Sequence, residues 1–151
     1  TFHKSSFRKH AIDLNFEESF YSRSLRGVIR GMHFQVPPMQ HAKLIYVTEG
    51  DILDVAIDLR RSSASYGRFF AIELSAENHK AVLVPCGFAH GFLTKSPFAN
   101  VVYLQSSEHS PEHDLGIRWD SFGFNWGIES PLLSDRDRNF PSLESFESPF
   151  V

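Results

Sequence analysis

KLIYVTEGDILDVAIDL, residues Lys43–Leu59, is two apolar, β-branched runs on either side of a polar glycine turn. Lys43–Thr48 reads as a strand, with Ile45 and Val47 as its branched residues. Glu49-Gly50-Asp51 reads as a turn, because glycine accepts the backbone angles a tight turn imposes. Ile52–Leu59 is the next strand, branched at Ile52, Val55 and Ile57. The same grammar continues outward. Arg60–Gly67 is a serine-rich loop, Arg68–Leu74 a strand and Ser75–Lys80 a turn. Ala81–Pro85 and Val101–Gln105 complete a central set of strands. No helical stripe with caps interrupts Leu44–Leu104. Short strands spaced by turns predict an all-β antiparallel sandwich or barrel. The ends differ: Phe7–Phe20 carries a weak pattern that fits a short turn or helix. Beyond Trp119 the chain turns irregular, with Pro131, Pro141 and Pro149, as in a tail that wraps a core.

A length of 151 residues predicts one domain spanning 1–151, built on one core. The net charge of −3, with both signs mixed, gives no electrostatic footprint for nucleic acid. Local Arg and Lys can still hold a small anion. The chain has 15 Phe, enough that some are expected at a pocket or an interface as well as in the core. The single Cys86 excludes an internal disulfide and reads as a buried thiol rather than a nucleophile. No stretch approaches the roughly 20 apolar residues that span a bilayer. No secretory signal is recognisable, so a cytoplasmic setting is expected. The chain starts TFHK, without Met, and a native N-terminal segment is expected upstream of it.

Two segments set a His beside glycines: GVIRGMHFQ at Gly27–Gln35 and PCGFAHGF at Pro85–Phe92. A His in a glycine-punctuated strand leaves room for a ligand near the backbone. His33 and His90 are therefore expected to share one pocket at the mouth of the barrel. An isolated His is more often a surface group or a hydrogen-bonded packing residue. His41 and His109, in polar loops, keep that bland reading. Arg30 lies in an apolar run and needs a partner. Lys43 and Tyr103 join the candidates, whereas Asp137, in SDRDRN, reads on its own as part of a solvated loop. A three-imidazole metal site of His33, His41 and His90 is the chemical alternative. It is disfavoured because no tight His-x-His pair is present and because Arg30 and Lys43 would repel a cation.

The order of RGMHFQ (Arg30–Gln35), QHAKLIYVTEGDILDVAIDLR (Gln40–Arg60), PCGFAHGF, GIRWD (Gly116–Asp120) and PLLSDRD (Pro131–Asp137) resembles the dTDP-4-dehydrorhamnose 3,5-epimerase family. The resemblance runs along nearly the whole chain. It implies a cupin-type double-stranded β-helix (jelly roll), free of metal and of any cofactor, and usually a homodimer. It implies a nucleoside-diphosphate 4-keto-6-deoxy sugar as substrate. It assigns His33 as the base, Asp137 as the carboxylate paired with it, and Tyr103 as the acid. Arg30 and Lys43 match basic residues near the diphosphate and the keto oxygen, and His90 matches a pocket His. Gln35, then Ser22 and Arg23 of the SRS segment ending at Ser24, and finally His109 complete the implied substrate-binding set. The upstream segment implied by the family would carry an RGxF-type motif reaching the nucleotide across a dimer. Two positions depart from the pattern: Phe20 stands where the family has Asn, and His109 where it has Tyr.

The chemistry fits these types of residue. A 4-keto group acidifies the hydrogens on both neighbouring carbons, so inversion needs a base on one face and an acid on the other. Imidazole is suited to the first task at neutral pH. A carboxylate on its far nitrogen fixes the tautomer. A cationic donor at the keto oxygen stabilises the enolate. Two other readings compete: an epimerase acting at C3 alone, and a non-catalytic sugar-binding jelly roll.

Overall fold

The computed structural model describes residues 3–151. After a short helix α1 (Lys4–Arg8), the chain forms β1 (Glu18–Leu25), β2 (Ile29–Gln35), β3 (Lys43–Glu49) and β4 (Asp51–Asp58). Then come β5 (Phe69–Ser75), β6 (Ala81–Val84), β7 (Phe88–Thr94), β8 (Phe98–Gln105), β9 (Asp114–Gly116) and a one-turn helix α2 (Asp135–Arg138). The strands form two sheets, a four-stranded one in the order β1-β8-β3-β6 and a five-stranded one in the order β5-β4-β7-β2-β9. All named strand pairs are antiparallel. The two sheets face each other as a cupin-type double-stranded β-helix.

The five strands expected from the sequence fall within one or two residues of β3, β4, β5, β6 and the second half of β8. The turn at Gly50 has a different role from a hairpin. β3 pairs with β6 and β8, whereas β4 pairs with β5 and β7, so Glu49–Asp51 is a corner between sheets. Gly50 sits at φ 78°, and a Cβ there would lie 2.1 Å from Phe98 O. The backbone passes so close to the start of β8 that only glycine fits.

The expectation for the N-terminal stretch needs correcting. Its helix ends at Arg8, and Glu18–Phe20 already belong to β1. Strand β1 escaped a pattern search because its polarity is inverted. Phe20 and Ser22 line a cavity, while Tyr21 and Leu25 point outward and are exposed. Strands β2 and β7 are hard to read for another reason: both their faces are buried. One face joins the core between the sheets, with Ile45, Ile52, Val101 and Phe92. The other lies under the C-terminal tail, where Phe122, Trp126 and Phe150 pack on Ile29, Phe34, Val55 and Ile57. The tail thus wraps the outside of the five-stranded sheet, as its composition implied. Cys86 is half-buried, and burial pushes its thiol up from the ordinary value, which leaves it poorly suited as a nucleophile. Among the described residues no helix is long and apolar enough to cross a membrane.

Candidate active site

Strand register decides what meets inside the barrel. On the four-stranded sheet, Glu18, Gln105 and Lys43 form one rung, and Phe20, Tyr103 and Ile45 the next. On the five-stranded sheet, Ala56, His90, His33 and Gly116 are in register across β4, β7, β2 and β9. Between the two walls lies a cavity of about 160 Å³ lined by Phe20, Ser22, Arg30, His33, Lys43, His90, Phe92 and Tyr103. It adjoins a second one of about 340 Å³, with which it shares Phe20, His33 and Lys43. Glu18, His41, Gln105, His109 and Asp114 complete the second lining.

Arg30 and His33 are three residues apart, and simple alternation would put them on opposite faces of β2. The register between β2 and β7 shifts by one between Arg30↔Phe92 and His33↔His90. The extra residue is a β-bulge, which returns both side chains to the cavity side. The bulge contains Gly31, at φ 134°, where a Cβ would lie 2.6 Å from Gly91 Cα. A Cβ on Gly91 would in turn lie 2.7 Å from Arg30 O. These glycines bring two strands together, so the space beside them is filled by protein rather than left for a ligand. Gly31→Ala is expected to destabilise the fold by roughly 3 kcal/mol through overpacking and an unfavourable φ. Urea unfolding measures this, and an unchanged midpoint would contradict the packing argument.

His33 Nε2 lies 2.6 Å from Asp137 Oδ1. The carboxylate only accepts, so Nε2–H donates and Nδ1 keeps its lone pair. Nδ1 has no protein partner among the described residues, and the side chain is 28% exposed. Asp137 is not in a solvated loop. It is 3% exposed, on α2, whose Ser134 cap accepts from Asp137 N–H at 3.0 Å. Leu132 anchors this segment beside β2, accepting from Ile29 N–H and donating to Gly27 O. Gly31 N–H donates to Asp137 Oδ2 at 3.2 Å. Burial raises the Asp137 pKa, but the His33 bond, Gly31 and Ser134 outweigh it and hold the carboxyl below its ordinary value. The carboxylate is therefore kept charged at the back of an imidazole.

On the facing sheet, the Tyr103 phenol is buried and lies 3.4 Å from Ser22 Oγ. Burial pushes its pKa well above the usual phenol range, so it keeps its proton. Phe20 stacks on its ring at 4.6 Å between centroids and 13° between planes. Lys43 is buried, and Nζ donates to His33 O at 3.3 Å. Burial lowers it to about 8, with Asp114 and Asp54 partly compensating, so at neutral pH it is a desolvated cation. Arg30 is exposed at the rim, so water solvates its charge and the partner its apolar run implied is not needed; Nε donates to Ser24 Oγ at 2.7 Å.

Not every expected site residue joins this group. Arg23 lies on the outer face of β1, 4.1 Å over the Phe98 ring. Gln35 is buried and ties loops together, donating to Met39 O at 2.6 Å and Glu108 O at 3.2 Å and accepting from Ser110 N–H at 2.6 Å. Neither lines the two cavities. His109 lies at the edge of the larger one, its Nδ1 4.0 Å from Asp114 Oδ2. His41 differs from both bland readings: it is buried, and neither ring nitrogen has a hydrogen-bond partner.

Asp54 was missed. It holds His90 Nε2 at 2.7 Å, and both side chains are almost fully buried. Its signal was legible as an acid inside the apolar run DILDVAID, where a charge needs a partner. Asp114 was also missed; Arg136 pairs with it at 2.8 Å beside the larger cavity. Among the described residues no group of three His, Cys, Asp or Glu comes together to hold a metal ion. His33 and His90 each spend one nitrogen on a carboxylate instead.

An imidazole with a free nitrogen on one wall, a phenol on the other and an ammonium near both can move protons at carbons beside a carbonyl. Comparison with known proteins agrees. The family model for dTDP-4-dehydrorhamnose 3,5-epimerase matches residues 1–145. The dTDP-4-dehydrorhamnose 3,5-epimerase of Methanothermobacter thermautotrophicus is 40% identical over 148 residues, covering 95% of this chain and 80% of the relative. The crystal structure of the dTDP-6-deoxy-D-glucose-3,5-epimerase of Legionella pneumophila in complex with dTDP-4-keto-L-rhamnose superposes with a TM-score of 0.93. It is 30% identical and covers 97% of this chain and 80% of its own. A 3'-monoepimerase from Streptomyces bikiniensis in complex with dTDP-quinovose gives a TM-score of 0.89 at 34% identity, over 95% of this chain and 75% of its own. The chain therefore belongs to the dTDP-4-dehydrorhamnose 3,5-epimerase family.

Proposed function

We propose that the chain is an epimerase that inverts C3 and C5 of a nucleoside-diphosphate 4-keto-6-deoxy sugar, with His33 as base and Tyr103 as acid. The observation that carries this reading is the placement of the two groups on opposite sheets across one cavity. Inversion needs that opposition, because the proton must leave one face of the carbon and return to the other. In this reading His33 Nδ1 removes the proton beside the carbonyl. The Asp137 carboxylate stabilises the imidazolium that forms. Lys43 holds the negative charge on the oxygen of the enolate, and desolvation strengthens that contact. His90, oriented by Asp54, borders the same oxygen site. Ser22 and Arg30 serve the diphosphate. The chemistry moves only protons, so no redox cofactor is required, and in this reading Lys43 supplies the positive charge at the enolate oxygen.

The test is deuterium incorporation in D2O, followed by NMR on a panel of nucleoside-diphosphate 4-keto-6-deoxy sugars. Label is expected at both C3 and C5 of the preferred substrate, with inversion at each. The likeness to a 3'-monoepimerase supports a second reading, inversion at C3 alone. Label restricted to C3 would select it. Binding without label at either carbon would leave a sugar-binding jelly roll and overturn the epimerase reading.

We further infer that the 1–151 unit works as one domain in a cytoplasmic homodimer. β1 is an edge of its sheet and exposes Tyr21 and Leu25, an apolar edge that a partner strand would cover. Light scattering at micromolar concentration is expected to give twice the chain mass; a stable monomer would contradict the inference.

A further inference from the structure

Two side chains in the wall of the second cavity carry buried polar atoms that nothing in the fold answers. Both ring nitrogens of His41 and Oε1 of Gln105 are buried, and none has a hydrogen-bond partner among the described residues. The two side chains are 7% and 5% exposed, and both line the cavity beside His33 and Lys43. Most buried polar groups are paired, so orphans gathered at one place point to a group that arrives with the ligand. Register puts them together: Gln105 is directly opposite Lys43 on the neighbouring strand, and His41 precedes Lys43 by two residues. His41, Lys43 and Gln105 thus meet in one wall of the cavity.

Their chemistry selects what arrives. Burial, with Lys43 next in effect, lowers the His41 pKa to about 3, so the ring is neutral and offers one donor and one acceptor. Gln105 Oε1 accepts only. Glu18, on the same wall, adds a negative charge that disfavours a phosphate, while Asp114 is already paired with Arg136. A hydroxyl satisfies the set with one oxygen, accepting from the His41 N–H and donating to Gln105. We propose that His41 and Gln105 form a hydroxyl-recognition subsite that selects 4-keto sugars bearing a hydroxyl on the carbon next to the carbonyl. This rests on the proposed epimerase reading, because Lys43 at the keto oxygen leaves the adjacent C3 substituent to reach its two neighbours. His41 and Gln105 are positioning residues: they hold the ring in register with the base and take no part in proton transfer.

The experiment compares the parent nucleotide sugar with its 3-deoxy analogue, using deuterium exchange at C5, which both retain. Calorimetric titration of both sugars and of the free nucleoside diphosphate runs in parallel. With the parent, His41→Leu and Gln105→Leu are each expected to lower kcat/KM by roughly 10- to 100-fold, mostly through KM. With the 3-deoxy analogue the wild type should already show that loss, and His41→Leu should add little. His41→Gln keeps a donor and an acceptor and is expected to recover most of the parent activity. It also serves as the folded control if His41→Leu is unstable. Equal losses on both sugars would overturn the proposal, as would undiminished activity of His41→Leu. A matching loss of affinity for the free nucleoside diphosphate would assign the subsite to the nucleotide and overturn it too. If the wild type labels neither carbon of any sugar, the epimerase reading fails on its own. The titrations then still decide the subsite, by whether the 3-deoxy sugar binds more weakly than its parent to the wild type but not to His41→Leu.

Discussion

His33→Ala is expected to stop deuterium exchange at both C3 and C5, with a loss of at least about 10²–10⁴-fold, the range for a positioned general base. The argument starts from the hydrogen-bond arrangement rather than from the presence of a histidine. Asp137 fixes Nε2–H at 2.6 Å, which leaves Nδ1 as the nitrogen with a lone pair to use. Among the described residues no other imidazole lining the two cavities offers this combination. His90 is more deeply buried and bound to Asp54, and burial holds His41 neutral at about 3, too weak a base for the task. Asp137→Asn should impair the same exchange. Its amide can donate to the ring, turning Nε2 into an acceptor and moving the proton to the nitrogen that must take one. The amide also keeps an oxygen for Gly31 N–H, so the bulge is preserved and the loss reports on chemistry rather than folding. NMR under single-substrate conditions measures both variants. Exchange at the wild-type rate in His33→Ala would remove His33 as the base and with it the whole assignment.

How much of this was readable beforehand depends on what each residue faces. Ile45, Val47, Ile52, Val55 and Ile57 showed their strands because their side chains enter dry cores, where branched residues are the expected filling. Phe20 and Ser22 concealed β1 because their side of the strand faces a cavity and not a core. Within the candidate site, His33, His90, Lys43, Arg30, Ser22 and Tyr103 were placed together by motif order, and the same six line one cavity. Geometry that depends on long-range packing was out of reach. The burial of Asp137 comes from α2 docking beneath Gly31, 106 residues earlier, and SDRDRN carries no mark of that contact. The bulge in β2 was equally hidden, since its extra residue is defined only by the register of β7. Gln35 shows the reverse case. It sits in the middle of a site motif, yet its amide is spent on loop carbonyls. Asp54 could have been found by asking of every acid in an apolar strand which partner pays for its burial.

Tyr103→Phe should separate two events that His33→Ala abolishes together. The phenol is held protonated by burial, and among the described residues its hydroxyl bonds to Ser22 Oγ, so in the proposed reading it gives a proton and does not take one. Removing the hydroxyl leaves the ring, and the stack of Phe20 on it at 4.6 Å is retained, so the cavity wall keeps its shape. His33, Asp137 and Lys43 are untouched, and the enolate can still form. A proton removed by His33 can then return from His33 itself, to the face it left. Solvent deuterium enters by this route because the imidazolium exchanges with water through the exposed part of the ring. Label should therefore continue to accumulate within about tenfold of the wild-type rate, while inversion falls by about 10²–10⁴-fold. The measurement is one NMR time course scored twice, for label and for the configuration of each carbon. If inversion kept pace with label in Tyr103→Phe, the second proton would come from another group on that wall. Ser22, whose hydroxyl lies beside the phenol, would then be the next residue to replace.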